Sequence, residues 1–171
     1  MYWGEQWVCA AISDDLVEWT PYVDAEGDLI KLAEPRKGYF DSMLTECGPP
    51  AVVTPKGIVL FYNGKNDVGQ KGDTDYPSNT YAAGQMLFDR DNPLRYVDRL
   101  DKPFFRPMTG FEKSGQYAAG TVFIEGLVYH RSKWFLYYGC ADSMVSVAVY
   151  DPAVRSGFGD PVRLDSDDAR Q

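Results

Sequence analysis

The groups best placed to do chemistry are concentrated in Phe40–Asn66, FDSMLTECGPPAVVTPKGIVLFYNGKN. Asp41, Ser42 and Glu46 stand close together there and run into Gly48-Pro49-Pro50. Each proline fixes its own φ, so an acid just ahead of this turn is carried on backbone that cannot relax easily. That is one way to aim a catalytic carboxylate, and an exposed loop acid has the same local pattern. Asp41 and Ser42 likewise have two readings, contact with a ligand or local Asx and ST turns. Glu112 and Asp142 are further acids with this balance, the latter following Tyr138-Gly139-Cys140-Ala141, where capping a turn is the competing role. Glu125, in Phe123-Ile124-Glu125-Gly126, reads as a hairpin residue. Phe40, Tyr81 and Tyr117 could offer ring faces to a ligand or pack at strand ends.

Other chemistries have little to work with. His130 is the single histidine, which argues against a histidine-based triad or zinc site, and it falls in a predicted exposed turn with Arg131 and Lys133. Cys9, Cys47 and Cys140 lie far apart with no CxxC pair, and read as buried free thiols. No spacing resembles a calcium loop, and no metal or other cofactor is called for. A net charge of −8 without a basic patch argues against nucleic acid as partner. No run is long and apolar enough for a membrane span, and Met1-Tyr2-Trp3-Gly4 has no leader-like character. Lys65 to Asn79 reads as a surface loop, and Asp165 to Asp168 as a solvated tail.

The elements that must hold these groups are strands. Aromatic residues make up 15% of the 171, a content that suits both β-structure and carbohydrate binding. Three rounds of one pattern are visible. Each has an aromatic strand ending in glycine: Tyr2-Trp3-Gly4, Tyr62-Asn63-Gly64 and Tyr137-Tyr138-Gly139. Each continues into an alanine-containing strand that stops at an aspartate, Asp14, Asp89 or Asp151. The predicted strands are Trp7–Ile12, Leu16–Pro21, Ala51–Val53, Ile58–Tyr62, Tyr81–Phe88, Gly120–Phe123, Leu127–Tyr129, Trp134–Gly139 and Val145–Tyr150. Short strands in long repeats predict four-stranded blades of a β-propeller, with a β-sandwich as the alternative. Residues 1–171 would supply roughly two and a half blades, a partial propeller domain lacking N-terminal blades. Its open sheet edges would leave a homo-oligomer possible.

With these motifs in order, the chain resembles glycoside hydrolase family 130, the mannoside phosphorylases and β-1,2-mannosidases. The resemblance rests on Phe40-Asp41-Ser42, Gly48-Pro49-Pro50-Ala51, Gly57 to Gly64 and Tyr81-Ala82-Ala83-Gly84. Phe111-Glu112-Lys113-Ser114-Gly115 and Tyr137 to Asp142 extend it. It implies an all-β, five-bladed propeller of which this chain is about the C-terminal half. It also implies a mannose-containing oligosaccharide as partner, contacted by Phe40, Asp41, Ser42, Asn63, Tyr81, Glu112, Tyr117 and Asp142. The family's general acid is an aspartate of the N-terminal blades, so none of Asp41, Glu112, Glu125 and Asp142 is assigned that role.

The phosphorylase pattern of the family has a lysine and a histidine that help hold phosphate. Here those places are Leu44 and Asn63, neither of which supplies a cation. Glu46 stands where the hydrolase branch has a glutamate base. In inverting cleavage one carboxylic acid protonates the leaving oxygen while a carboxylate on the opposite face activates water. The resemblance therefore implies a β-mannoside hydrolase, acting on β-1,2-linked oligosaccharides, with Glu46 as general base. A phosphorylase releasing mannose 1-phosphate and an inactive carbohydrate-binding fragment are the alternatives. Periplasmic and cytoplasmic locations in a bacterium both remain open.

Overall fold

A computed structural model describes residues 1–154 apart from Val68 and Gln70; the predicted acidic tail at Asp165 to Asp168 lies outside the described residues. These residues form eleven strands and one short 3₁₀ turn at Phe111–Lys113. The strands are β1 (Tyr2–Trp3), β2 (Cys9–Ile12), β3 (Thr20–Pro21), β4 (Leu44–Cys47), β5 (Val52–Thr54) and β6 (Gly57–Lys65). They continue as β7 (Tyr81–Phe88), β8 (Tyr96–Arg99), β9 (Val122–His130), β10 (Lys133–Cys140) and β11 (Met144–Tyr150).

The strands make three antiparallel sheets. The middle sheet runs β4-β6-β7-β8, with β5 also paired to β6. Three-stranded sheets, β1-β2-β3 and β11-β10-β9, complete the set. This is the blade architecture expected from the repeat, with one five-stranded sheet among three-stranded ones, four strands wide because β4 and β5 pair with successive stretches of β6.

Strands in a sheet point alternate side chains to opposite faces, and β6 uses both faces for packing. Leu60 and Tyr62 enter a core with Val8, Phe40, Met86 and Phe88. Phe61, on the other face, packs with Ala83 against Val122, Ile124, Leu136 and Tyr138. Each large side chain buried this way contributes on the order of 1.5–3 kcal/mol. Gly84 makes the first core possible: a Cβ there would lie 2.4 Å from the Tyr62 ring.

Four local expectations change. Glu46 lies inside a strand, β4, because Leu44–Cys47 pairs fully with Tyr62–Lys65. Tyr96–Arg99 forms β8, a strand whose largely exposed, charged composition gives no alternation to read. Leu16 and Val17 are 77% and 79% exposed, and only Thr20–Pro21 of that segment joins a ladder. Glu125 is not in a hairpin turn; β9 continues past it to His130, and the turn falls at Arg131 and Ser132.

Candidate active site

β4, β6 and β7 build the floor of the site. Glu46 pairs directly with Asn63, which pairs with Ala83; Leu44 pairs with Lys65, which pairs with Tyr81. Directly opposed residues of an antiparallel ladder share a face. Leu44, Glu46, Asn63, Lys65 and Tyr81 therefore look the same way, toward β9. The Lys65 ammonium sits 4.9 Å from the Tyr81 ring centre, and Tyr81 meets Tyr117 and Phe123 edge-on at 5.8 and 6.0 Å.

Two neighbouring sheets add acids to this floor. The Gly4 carbonyl accepts from the Cys47 amide at 3.1 Å and the Gln6 carbonyl from the Thr45 side chain at 3.0 Å, which brings Glu5 alongside Glu46. Glu125 arrives from β9. The Glu46 carboxyl is pushed above its ordinary range by burial first, then by the charges of Glu5 and Glu125. Burial raises Glu125 as well. Burial, then the charges of Glu46, Asp142 and Glu5, push the Tyr81 hydroxyl up. Asp142 sits exposed at a turn with φ of 51°, accepts from Gln116 at 3.0 Å and raises the Tyr117 hydroxyl beside it. The arrangement is a group of carboxylates and tyrosine hydroxyls with a single lysine among them.

Glu46, Tyr81, Tyr117 and Asp142 are thus brought together, and Ser42 stands nearby, its hydroxyl accepting from the Asp67 amide at 2.8 Å. Four other residues expected to contact sugar are buried and engaged by partners within the chain. Phe40 is 1% exposed and stacks on Tyr62, leaving no free ring face. Asp41 is fully buried, its carboxylate bound by Arg36, Arg99 and the Tyr62 hydroxyl at 2.7 Å. Glu112 accepts from the Met108 and Thr109 amides at 2.7 and 2.8 Å and from the Tyr138 hydroxyl at 2.8 Å. Asn63 is fully buried, its amide closed on the backbone of Ile124. These partners could not be read from the sequence, because spacing along a chain does not say which face of a strand or turn is covered.

Glu5 and Glu125 are the acids the sequence reading did not assign. Glu5 follows the first strand-ending glycine, a position that the repeat could have flagged. Glu125 depends on a register irregularity invisible in the sequence. Cys9, Cys47 and Cys140 are free, and burial pushes the Cys47 thiol up to about 12. His130 is exposed. Past Phe61 the same inter-sheet gap opens into an apolar cleft of about 510 Å³ lined by residues such as Val59, Leu127 and Trp134, with no acid.

Residues 3–153 match the model of a family of glycoside hydrolases, number 130, described as β-1,4-mannooligosaccharide phosphorylase. The chain belongs to glycoside hydrolase family 130. A solved glycosyl hydrolase of this family's fold from Bacteroides ovatus is 67% identical, with a TM-score of 0.87 over 91% of this chain and 43% of its own. A second, 63% identical with the same TM-score, comes from work on family 130 glycoside hydrolases that target β-1,2 mannosidic linkages in Candida mannan; it covers 94% of this chain and 44% of its own. A 1,2-β-oligomannan phosphorylase of Thermoanaerobacter sp. (strain X514) is 28% identical over 82% of this chain and 42% of its own length. The chain thus spans less than half the length of these relatives. Its sheets are part of the five-bladed propeller of family 130.

Proposed function

We propose that the chain forms the C-terminal part of an inverting β-mannoside hydrolase acting on β-1,2-linked manno-oligosaccharides, with Glu46 as general base. The observation that carries this reading is the face shared by Leu44, Glu46 and Asn63. A phosphorylase needs cationic or donor-rich groups for phosphate, and here one such place is an aliphatic side chain. The other is an amide whose donor and acceptor are consumed by Ile124. Glu5 and Glu125 act on Glu46 through their charge, and the same like charge would repel a phosphate dianion brought beside Glu46. The same environment favours a base: Glu46, raised by burial and by the charges of Glu5 and Glu125, holds a proton more strongly once it takes it. Ser42, Tyr81, Tyr117 and Asp142 line the approach and would contact sugar hydroxyls and ring faces. The general acid would come from the part of the propeller outside residues 1–171.

The test uses a chimera in which this chain replaces the matching region of the Bacteroides ovatus relative, assayed beside the 171-residue chain alone. With β-1,2-mannobiose the chimera should release mannose at a rate indifferent to inorganic phosphate. Glu46→Gln should lower that rate by a factor on the order of 10²–10⁴, the usual contribution of a general base. Phosphate-dependent release of mannose 1-phosphate would refute the hydrolase reading, and wild-type turnover by Glu46→Gln would refute the assignment of the base.

A further inference from the structure

The ladder between β9 and β10 slips once. Tyr137 pairs with Gly126 and Tyr138 with Ile124, so Glu125 has no partner and forms a β-bulge. A bulge re-aims a side chain and is frequent beside active sites. β9 is also the edge of its sheet, which leaves the outward backbone groups of Ile124 without a neighbouring strand. Asn63 takes that neighbour's place. Its Oδ1 accepts from the Ile124 amide at 2.7 Å and its Nδ2 donates to the Ile124 carbonyl at 3.1 Å. Asn63 is itself the ladder partner of Glu46. Gly48, two residues beyond Glu46, lets the strands approach: a Cβ there would lie 2.9 Å from the Ile124 carbonyl oxygen.

We propose that the Asn63 clamp and the bulge next to it form one device that holds Glu125 against Glu46, making Glu125 a tuning acid of the site and Asn63 its positioning residue. Four linked positions define it: Glu46, Asn63 across the ladder, Ile124 in the clamp, and Glu125 next along the bulge. A carboxylate held there repels a second negative charge, so Glu125 favours the protonated form of Glu46. The groups that face Glu46 are Glu5 beyond β1, Glu125 on β9, and Tyr81 on β7 with Lys65 above its ring. Of these, only Glu5 and Glu125 bring a carboxylate charge. The catalytic meaning of this tuning rests on the proposed role of Glu46, but the placement does not.

The experiment titrates the 171-residue chain carrying glutamate labelled with ¹³C at the side-chain carboxyl, the Glu46 signal being identified by its loss in Glu46→Gln. Glu125→Gln, at an exposed residue, should move the Glu46 midpoint to lower pH, and so should Glu5→Gln. Asn63→Ser should move it the same way, and adding Glu125→Gln to Asn63→Ser should then shift it less than Glu125→Gln does alone. A Glu46 midpoint unmoved by Glu125→Gln overturns the proposal. Full additivity of Asn63→Ser and Glu125→Gln, or a loss of fold in Asn63→Ala with no midpoint change in Asn63→Ser, overturns the role of the clamp. In the chimera the acid limb of kcat/KM should follow the Glu46 midpoint. A midpoint that moves while the limb stays fixed leaves the placement standing and counts against Glu46 as base.

Discussion

The strongest structural prediction concerns Asp41, the acid that heads the Phe40–Asn66 stretch and turns out to be buried. Its side chain is 0% exposed and faces two guanidinium groups, Arg36 at 19% and Arg99 at 5% exposure. Arg99 Nη1 donates to Oδ2 at 2.8 Å, Arg36 Nε to Oδ1 at 3.2 Å and the Tyr62 hydroxyl to Oδ2 at 2.7 Å. Asp41→Asn keeps the volume and removes the charge. It leaves Arg99 almost wholly buried without a counter-ion. Breaking a buried pair in this way costs about 3–5 kcal/mol, a large part of the roughly 5–15 kcal/mol available to a whole domain.

The control lies in the same network. Asp101 also pairs with Arg36, at 3.2 Å, but is 74% exposed. An exposed pair of this kind is worth roughly 0–1 kcal/mol. In urea denaturation of the 171-residue chain, with a slope of about 2 kcal/mol/M, Asp41→Asn should lower the midpoint by roughly 2 M and Asp101→Asn by less than about 0.5 M. If the stranded charge of Arg99 is the cause, Arg99→Met should cost less in the Asp41→Asn background than in the wild type. Equal losses for Asp41→Asn and Asp101→Asn would refute the argument.

Two further outcomes can be checked on the same preparation. Gly84→Ala sets a methyl 2.4 Å from the Tyr62 ring and 2.5 Å from its hydroxyl, so the ring must shift or the strands part; a loss of about 1–3 kcal/mol is expected in the same denaturation assay. Glu112 gives a pH test. Burial alone would raise its carboxyl, but the amides of Thr109 and Met108 and the Tyr138 hydroxyl outweigh it, and the folded group titrates below the ordinary 4.5. Its contribution is therefore present above that value and lost as pH falls through the folded pKa. Thermal melts from pH 6 down to 3 should show Glu112→Gln losing less stability over that window than the wild type.

The fold was legible because it is written in period and repetition. Strand-ending glycines at Gly4, Gly64 and Gly139, each followed by an alanine-containing strand, announced the blades, and β6, β7, β10 and β11 appear close to where that pattern puts them. The site was legible only in part. Glu46 could be singled out because it differs in kind from a phosphate ligand. Phe40, Asp41, Asn63 and Glu112 have residue types that serve a sugar as well as they serve a core. What decides between the two is the partner that arrives from elsewhere in the chain: Tyr62 for Phe40, Arg36 and Arg99 for Asp41, Ile124 for Asn63, Tyr138 for Glu112. Those partners stand between 5 and 61 residues away in sequence. Local pattern cannot reach them.

Asn63 shows why these two kinds of role need not be independent. An amide side chain presents its donor and acceptor side by side, as a peptide does, and so can bracket the N–H and C=O of one residue on a strand edge. An imidazole carries its two nitrogens in divergent directions and can meet only one of those groups. With histidine at this position, as in the phosphorylase pattern, one backbone group of Ile124 would be left buried and unpaired, at a cost of about 1–3 kcal/mol. If a phosphate-binding histidine were exchanged for asparagine here, the one substitution would remove a phosphate ligand and supply the clamp for the neighbouring sheet. Since Glu46 stands opposite that residue and Glu125 adjoins the clamped one, the same substitution sets the surroundings of the acid we assign as the base. On the proposed reading, the choice between phosphate and water would be built into how two sheets meet, as well as into which side chains line the site.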